Sequence, residues 1–141
     1  MIEDIRENFA AEEVYAIYAA CMFEPTWEKF RERAEALRKD PAVRMFGYTE
    51  NGAVLGVIVI REKEGGAEVC GIAVDETRRG HGIGGELVRY VMDELQPDVL
   101  YAETDDDAVG FYRNCGFATE GFIETYDSGP CRRYRCELRK G

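Results

Sequence analysis

Between Arg78 and Gly85 the chain reads RRGHGIGG, two arginines followed by four glycines within six residues. The apolar positions beyond it, Ile83, Leu87, Val88, Val91 and Leu95, recur at helical spacing. A glycine-lined helix start offers free backbone N–H groups, a partial positive charge and no side chains to block approach. Arg78 and Arg79 add full charge beside it. This is the chemistry of an anion site, and it fits a phosphorylated cofactor.

Two familiar phosphate loops fit less well. Gly80, Gly82 and Gly85 satisfy GxGxxG, but a dinucleotide fingerprint opens directly after a parallel strand, and here Asp75 to Arg79 intervene. A P-loop requires Lys where Glu86 stands. A purely flexible turn would not explain the paired arginines. Metal chemistry has no support: the five cysteines form no CxxC pair and His81 is the only histidine. The thiols read as free groups in a reducing compartment.

The elements that must position the loop can be read from periodicity. A short edge strand is expected around Ile2 to Ile5 and a helix over Ala10 to Met22, with Val14, Ile17, Tyr18 and Cys21 on one face. Glu24-Pro25-Thr26 breaks it, and Thr26 can cap a second helix carrying Trp27, Phe30, Ala34 and Leu37. Val43 to Thr49 and Val54 to Arg61 read as strands joined by the hairpin signal Asn51-Gly52. Glu64-Gly65-Gly66 turns the chain into Ala67 to Val74. An antiparallel meander therefore feeds the glycine loop. The helix after the loop and the strand Val99 to Glu103 complete a strand–helix–strand crossover. A helix over Asp105 to Asn114 closes on Gly116, and strands over Phe117 to Thr125 and Arg132 to Leu138 end the chain.

The whole of residues 1–141 thus reads as one α/β domain of mixed sheet type, large enough to bury about 70% of its unfolded surface. Its net charge of −10 argues against a nucleic-acid surface. No stretch resembles a membrane span, and the charged start MIEDIRENF lacks an export leader's apolar region, so a cytoplasmic protein is expected. A monomer and a homodimer are equally compatible with the sequence.

Two motifs in register resemble the GNAT superfamily of acyl-CoA-dependent N-acyltransferases. Its cofactor signature is Arg or Gln, two residues, Gly, one residue, then Gly or Ala, and Arg79, Gly82 and Gly84 match it. Its aromatic-Tyr pair followed by Gly-Phe matches Phe111-Tyr112 and Gly116-Phe117. The element order agrees from Val43 onward. The resemblance implies a central, mostly antiparallel sheet of six or seven strands with about four helices, splayed where the cofactor enters. It implies acetyl-CoA as cosubstrate and an amine as acceptor. Backbone N–H groups of Arg79, Gly80, His81, Gly82, Ile83, Gly84 and Gly85 would hold the pyrophosphate. Ile72, Ala73 and Val74 would pair by their backbone with the pantetheine arm. The family often has asparagine at the position of Asp105, for a cofactor contact; a carboxylate accepts but does not donate, and Asp105 can instead cap its helix.

An attacking amine must be neutral, and a lysine-like amine has a pKa near 10.4, so a base or water chain is expected. The resemblance gives Tyr112 the role of donor to the departing thiolate, beside the plainer reading of a packed core aromatic. For the base it points first to Glu68, eleven residues before Arg79. Glu103 is the second candidate, at the C-terminal end of the next strand, where ligand sites collect in α/β sheets. Tyr101 and Tyr48 follow. Solvated or ion-paired glutamates are the alternative for both. Around the acceptor, Tyr18, Phe23, Trp27 and Phe30 with Glu12, Glu13 and Glu24 would make an aromatic, acidic rim for a cation, although Trp27 and Phe30 at helical spacing also read as core. Cys131 to Arg135 is locally basic and suits a carboxylate-bearing acceptor. A domain that binds acyl-CoA without turnover remains the competing class.

Overall fold

The computed structural model describes all residues 1–141. Seven strands form one sheet: β1 Ile2–Asp4, β2 Val43–Glu50, β3 Ala53–Lys63, β4 Gly66–Val74, β5 Val99–Thr104, β6 Ala118–Tyr126 and β7 Gly129–Arg139. Four α-helices accompany it: α1 Glu12–Tyr18, α2 Trp27–Lys39, α3 Ile83–Leu95 and α4 Val109–Asn114. The strand order is β1-β2-β3-β4-β5-β7-β6. Only β4 and β5 are parallel, joined through α3; every other pair is antiparallel. This is the mixed, mostly antiparallel sheet expected. No helix is long and apolar enough to cross a membrane.

Each sheet face has its own core. One is built from α3, α4 and strand residues such as Ile58, Ile60, Val69, Leu100 and Cys136. The other lies under α1 and α2, around Phe9, Tyr18, Phe30, Val57 and Val59. Tyr18 and Phe30 are fully buried there, and Trp27 stacks on Phe30 at 5.8 Å between ring centroids. Of the aromatics expected at an acceptor rim, only Phe23 is exposed, at 87%.

Several boundaries differ from expectation for local reasons. The first α-helix stops at Tyr18, and Ala19–Cys21 tighten into a 3-10 turn as the Cys21 thiol donates to the Ile72 carbonyl at 3.2 Å. The second begins as expected, with the Thr26 hydroxyl accepting the Lys29 N–H at 3.1 Å. The helix expected from Asp105 starts only at Val109. Asp105 Oδ1 takes the N–H groups of Asp107 and Ala108 at 3.0 and 3.1 Å, which builds a turn ahead of the helix.

Candidate active site: a splayed slot between β4 and β5

The parallel pairing of β4 with β5 lasts for three residue pairs, Gly66↔Val99, Ala67↔Leu100 and Glu68↔Tyr101. Then it stops, although both strands continue. The cause lies in β4. Val59 pairs with Gly71 and Ile60 with Val69, so Cys70 is an extra residue, a β-bulge. A bulge bends its strand and adds local twist, carrying β4 away from β5. It also reverses the alternation: Ala67 and Val69 pack toward α3 before it, Ile72 and Val74 after it. The expected splay is therefore present, and one inserted residue produces it.

Past the bulge, one edge of β4 is free. The Asp75 N–H donates to Leu55 of β3 at 2.8 Å, so by alternation Ile72 and Val74 turn their backbone polar groups into the slot. Side chains take those carbonyls instead: Cys21 Sγ reaches Ile72 O, and Arg79 Nε reaches Val74 O at 3.4 Å. Ala73 faces its backbone to β3 and its side chain to the α1–α2 core.

The slot is a cleft of about 450 Å³, lined along its length by Val69 to Val74, Arg79, Gly84, Glu103, Thr104, Asp105, Phe111, Tyr112 and Arg133. That volume is in the range of small-molecule sites. At one end stands the start of α3. Gly80 and Gly82 have φ of +84° and +82°, conformations open to glycine and strained for other residues. Gly82 is the N-cap, and no side chain caps this 13-residue helix, so the first-turn N–H groups of Ile83, Gly84 and Gly85 remain available to an anion. Gly84 also allows close packing: a Cβ there would lie 2.7 Å from the Phe111 ring. His81 lies exposed in the loop.

Tyr112 faces the same cleft from α4. Its helix ends in a Schellman motif: the Phe117 N–H bonds the Tyr112 carbonyl and the Gly116 N–H bonds Arg113, each at 3.0 Å, with Gly116 at φ +95°. The Phe117 ring then meets the Tyr112 ring edge-on at 5.2 Å, and Phe111 meets it at the same distance from the other side. These contacts give a physical reason for the Phe-Tyr and Gly-Phe spacing. They clamp one phenol. Tyr112 is 6% exposed, and its hydroxyl makes no hydrogen bond within the protein. Burial pushes its pKa well above that of an ordinary phenol, so at neutral pH it stays protonated and keeps its O–H as a donor.

The two candidate bases are separated. Glu103 is an exposed side chain lining the cleft. Glu68 sits three strand-pairs into β4, before the bulge, where its carboxylate pairs with Lys63 at 3.4 Å; it is not among the cleft-lining residues. Tyr101 lies beside it in register and Tyr48 lies across the sheet on β2. Arg133, part of the basic run noted in the sequence, lines the cleft from β7. The lining also includes residues that no motif pointed to, Cys21 and the bulged Cys70 among them, because neither a bulge nor a contact across the sheet has a local pattern. No group of three His, Cys, Asp or Glu side chains is placed to hold a metal.

Residues 11–117 match the family profile described as the acetyltransferase (GNAT) family. A curated relative, the N-alpha-acetyltransferase RimI of Mycobacterium tuberculosis (strain ATCC 25618 / H37Rv), is 40% identical over 62 residues. That stretch spans 42% of this chain and only 39% of the relative's length. Among solved structures, the ribosomal-protein-S18-alanine N-acetyltransferase from Escherichia coli superposes with a TM-score of 0.77 at 19% identity, covering 100% of this chain and 94% of its own. An aminoglycoside 6'-N-acetyltransferase complexed with coenzyme A gives a TM-score of 0.78 at 13% identity, covering 100% and 97%. At such identities these two superpositions speak for the fold alone.

Proposed function

The chain belongs to the GNAT acetyltransferase family, and from that premise we propose that it moves an acetyl group from acetyl-CoA to a primary amine by direct attack on the thioester. The observation that carries this reading is the coincidence of three features in one cleft. These are an uncapped helix start, a free strand edge and a buried phenol held as a donor.

The residues fit the cosubstrate. First-turn N–H groups from Ile83 to Gly85, with Arg79 beside them, suit a pyrophosphate. Ile72 and Val74 offer donors and acceptors to an amide-rich arm lying along β4 as an added strand. Cys21 would share or yield the Ile72 carbonyl. Asp105 spends Oδ1 on its own turn, so its part in binding is limited to the remaining oxygen. When bound, the thioester supplies an activated acyl carbon.

The protein's own groups then move protons. We assign Glu103 as the group that takes the ammonium proton, directly or through water, since it lines the cleft and Glu68 is held in an ion pair outside it. As the C–N bond forms and the C–S bond breaks, the Tyr112 hydroxyl donates a hydrogen bond to the departing sulfur, and the second amine proton passes to water, leaving a neutral amide and the CoA thiolate. A phenol with a raised pKa is a poor full proton donor to a thiolate, whose reference pKa is near 8.5. Its contribution is therefore a charge-assisted hydrogen bond that stabilises the leaving group.

The test is thiol release from acetyl-CoA across a panel of small amines and peptide N-termini. Amine-dependent release matched by acetylated product supports transfer. Tight CoA binding with no product across the panel favours the acyl-CoA-binding alternative. A thermal shift with NAD(P) and none with CoA would instead indicate a dinucleotide enzyme.

A further inference from the structure

Arg133 is a cation without a partner in the cleft that Glu103 also lines. It belongs to the cleft lining, yet its Nε is buried with no hydrogen-bond acceptor. It enters none of the six ion pairs in the structure. A buried donor left unsatisfied is costly, so such groups are normally paired. Several nearby groups are engaged elsewhere. Arg135 lies over the Phe122 ring at 5.1 Å, and Arg113 over Tyr134 at 5.4 Å. Tyr134 donates to Asp106 at 2.7 Å, while Asp105 Oδ1 accepts two backbone N–H groups.

Register sets the distance from Arg133 to the base. Glu103 pairs directly with Arg135. Arg133 is two residues further along β7, on the same face, a diagonal neighbour whose Cα lies about 7–8 Å away. One carboxylate and one unpaired guanidinium thus face the same cleft end, a short span apart. Glu103 and Arg133 form no ion pair with each other, and an acceptor that carries an amine and a well-separated carboxylate suits the gap between them.

We propose that Arg133 selects the acceptor by binding a carboxylate carried on the same molecule whose amine meets Glu103. The substrates are then amines bearing a carboxylate several bonds away, such as ω-amino acids or acidic dipeptides. This rests on the acetyl-transfer reading above and narrows its substrate class. The net charge of −10 repels such acceptors at long range, so a local guanidinium is where the selectivity would reside.

The experiment compares matched acceptor pairs, 4-aminobutyrate against its amide and Ala-Glu against Ala-Gln amide, by kcat/KM with the wild type, Arg133→Gln and Arg133→Lys. The wild type should prefer the carboxylate member by roughly 10- to 100-fold, the range of one charge-assisted hydrogen bond. Arg133→Gln should bring the ratio near one, and Arg133→Lys should restore part of it. A wild-type ratio near one, or an Arg133→Gln variant that keeps the wild-type ratio, overturns the proposal. So does a variant whose only defect is a raised KM for acetyl-CoA, since Arg133 would then serve the cofactor. If no amine is acetylated at all, the transfer reading fails by itself. The subsite is then decided by thermal shift of the CoA-bound protein with N-acetyl-4-aminobutyrate: a shift in the wild type that Arg133→Gln abolishes upholds it, and no shift in the wild type overturns it.

Discussion

Replacing Tyr112 by Phe separates a catalytic phenol from a packed core aromatic. The ring makes the packing contacts, with Phe111 and Phe117 both edge-on at 5.2 Å, and Phe keeps them. The hydroxyl makes no protein hydrogen bond, so its removal leaves nothing unsatisfied behind. The hydroxyl itself opens to the cleft, so deleting it breaks no internal bond. Stability should therefore hold, within about 1 kcal/mol. The rate should not. Losing one hydrogen bond to a developing thiolate costs about 1.5–3 kcal/mol in the transition state, or roughly 10- to 150-fold in kcat. The assay is continuous thiol release at saturating acetyl-CoA and amine, with a thermal melt of the same preparation. A kcat within about twofold of wild type would refute the donor role. A large fall in melting temperature, with activity lost in proportion to folded protein, would make Tyr112 structural.

Four further outcomes are expected. Glu103→Gln should lower kcat/KM by roughly 100-fold or more, as expected for loss of a positioned base. Glu68→Gln should stay within a few-fold, because its half-exposed pair with Lys63 contributes little; the reverse order in steady-state kinetics would return the role to Glu68. Gly82→Ala places a side chain at φ +82°, at a cost of about 1–2 kcal/mol, and should weaken CoA binding in calorimetry; unchanged affinity and stability would show that the loop does not need this conformation. Melting temperature should fall as pH rises above about 9–10. The buried Tyr112 and Tyr18 hydroxyls and the Cys136 thiol resist ionisation when folded, all three pushed up chiefly by burial, while the unfolded chain releases those protons near its ordinary values. The folded state then holds more protons than the unfolded one, so stability falls with pH. A flat profile to pH 11 would contradict this.

Local chemistry made much of this legible beforehand. Asn51-Gly52, Thr26 and Gly116 act through their own backbone neighbours, and each does what its residue type dictates. The glycine loop and the Phe111–Phe117 motif are likewise contiguous, so their spacing carries their geometry. What escaped depends on pairing across the sheet. Nothing in VCGIAV marks Cys70 as the bulged residue, because a bulge is defined by the register of β3 against β4. Which glutamate reaches the cleft follows from that bulge and the splay it causes. The engagement of Cys21 with Ile72, 51 residues away, and the unpaired Nε of Arg133 are tertiary facts of the same kind. The aromatic stripe of α1 and α2 could be read as rim or core. Burial decided for core.

Every step proposed for this protein requires CoA to enter the slot between β4 and β5, with its pyrophosphate at the start of α3. Amide chemical-shift mapping of the ¹⁵N-labelled protein during a CoA titration tests it most directly. The largest shifts should fall on Gly80 to Gly85 and on Ile72 and Val74, the N–H groups that the fold leaves without partners. Saturating CoA that shifts none of these amides, or NAD(P) shifting them where CoA does not, would rule out CoA as the occupant of the slot.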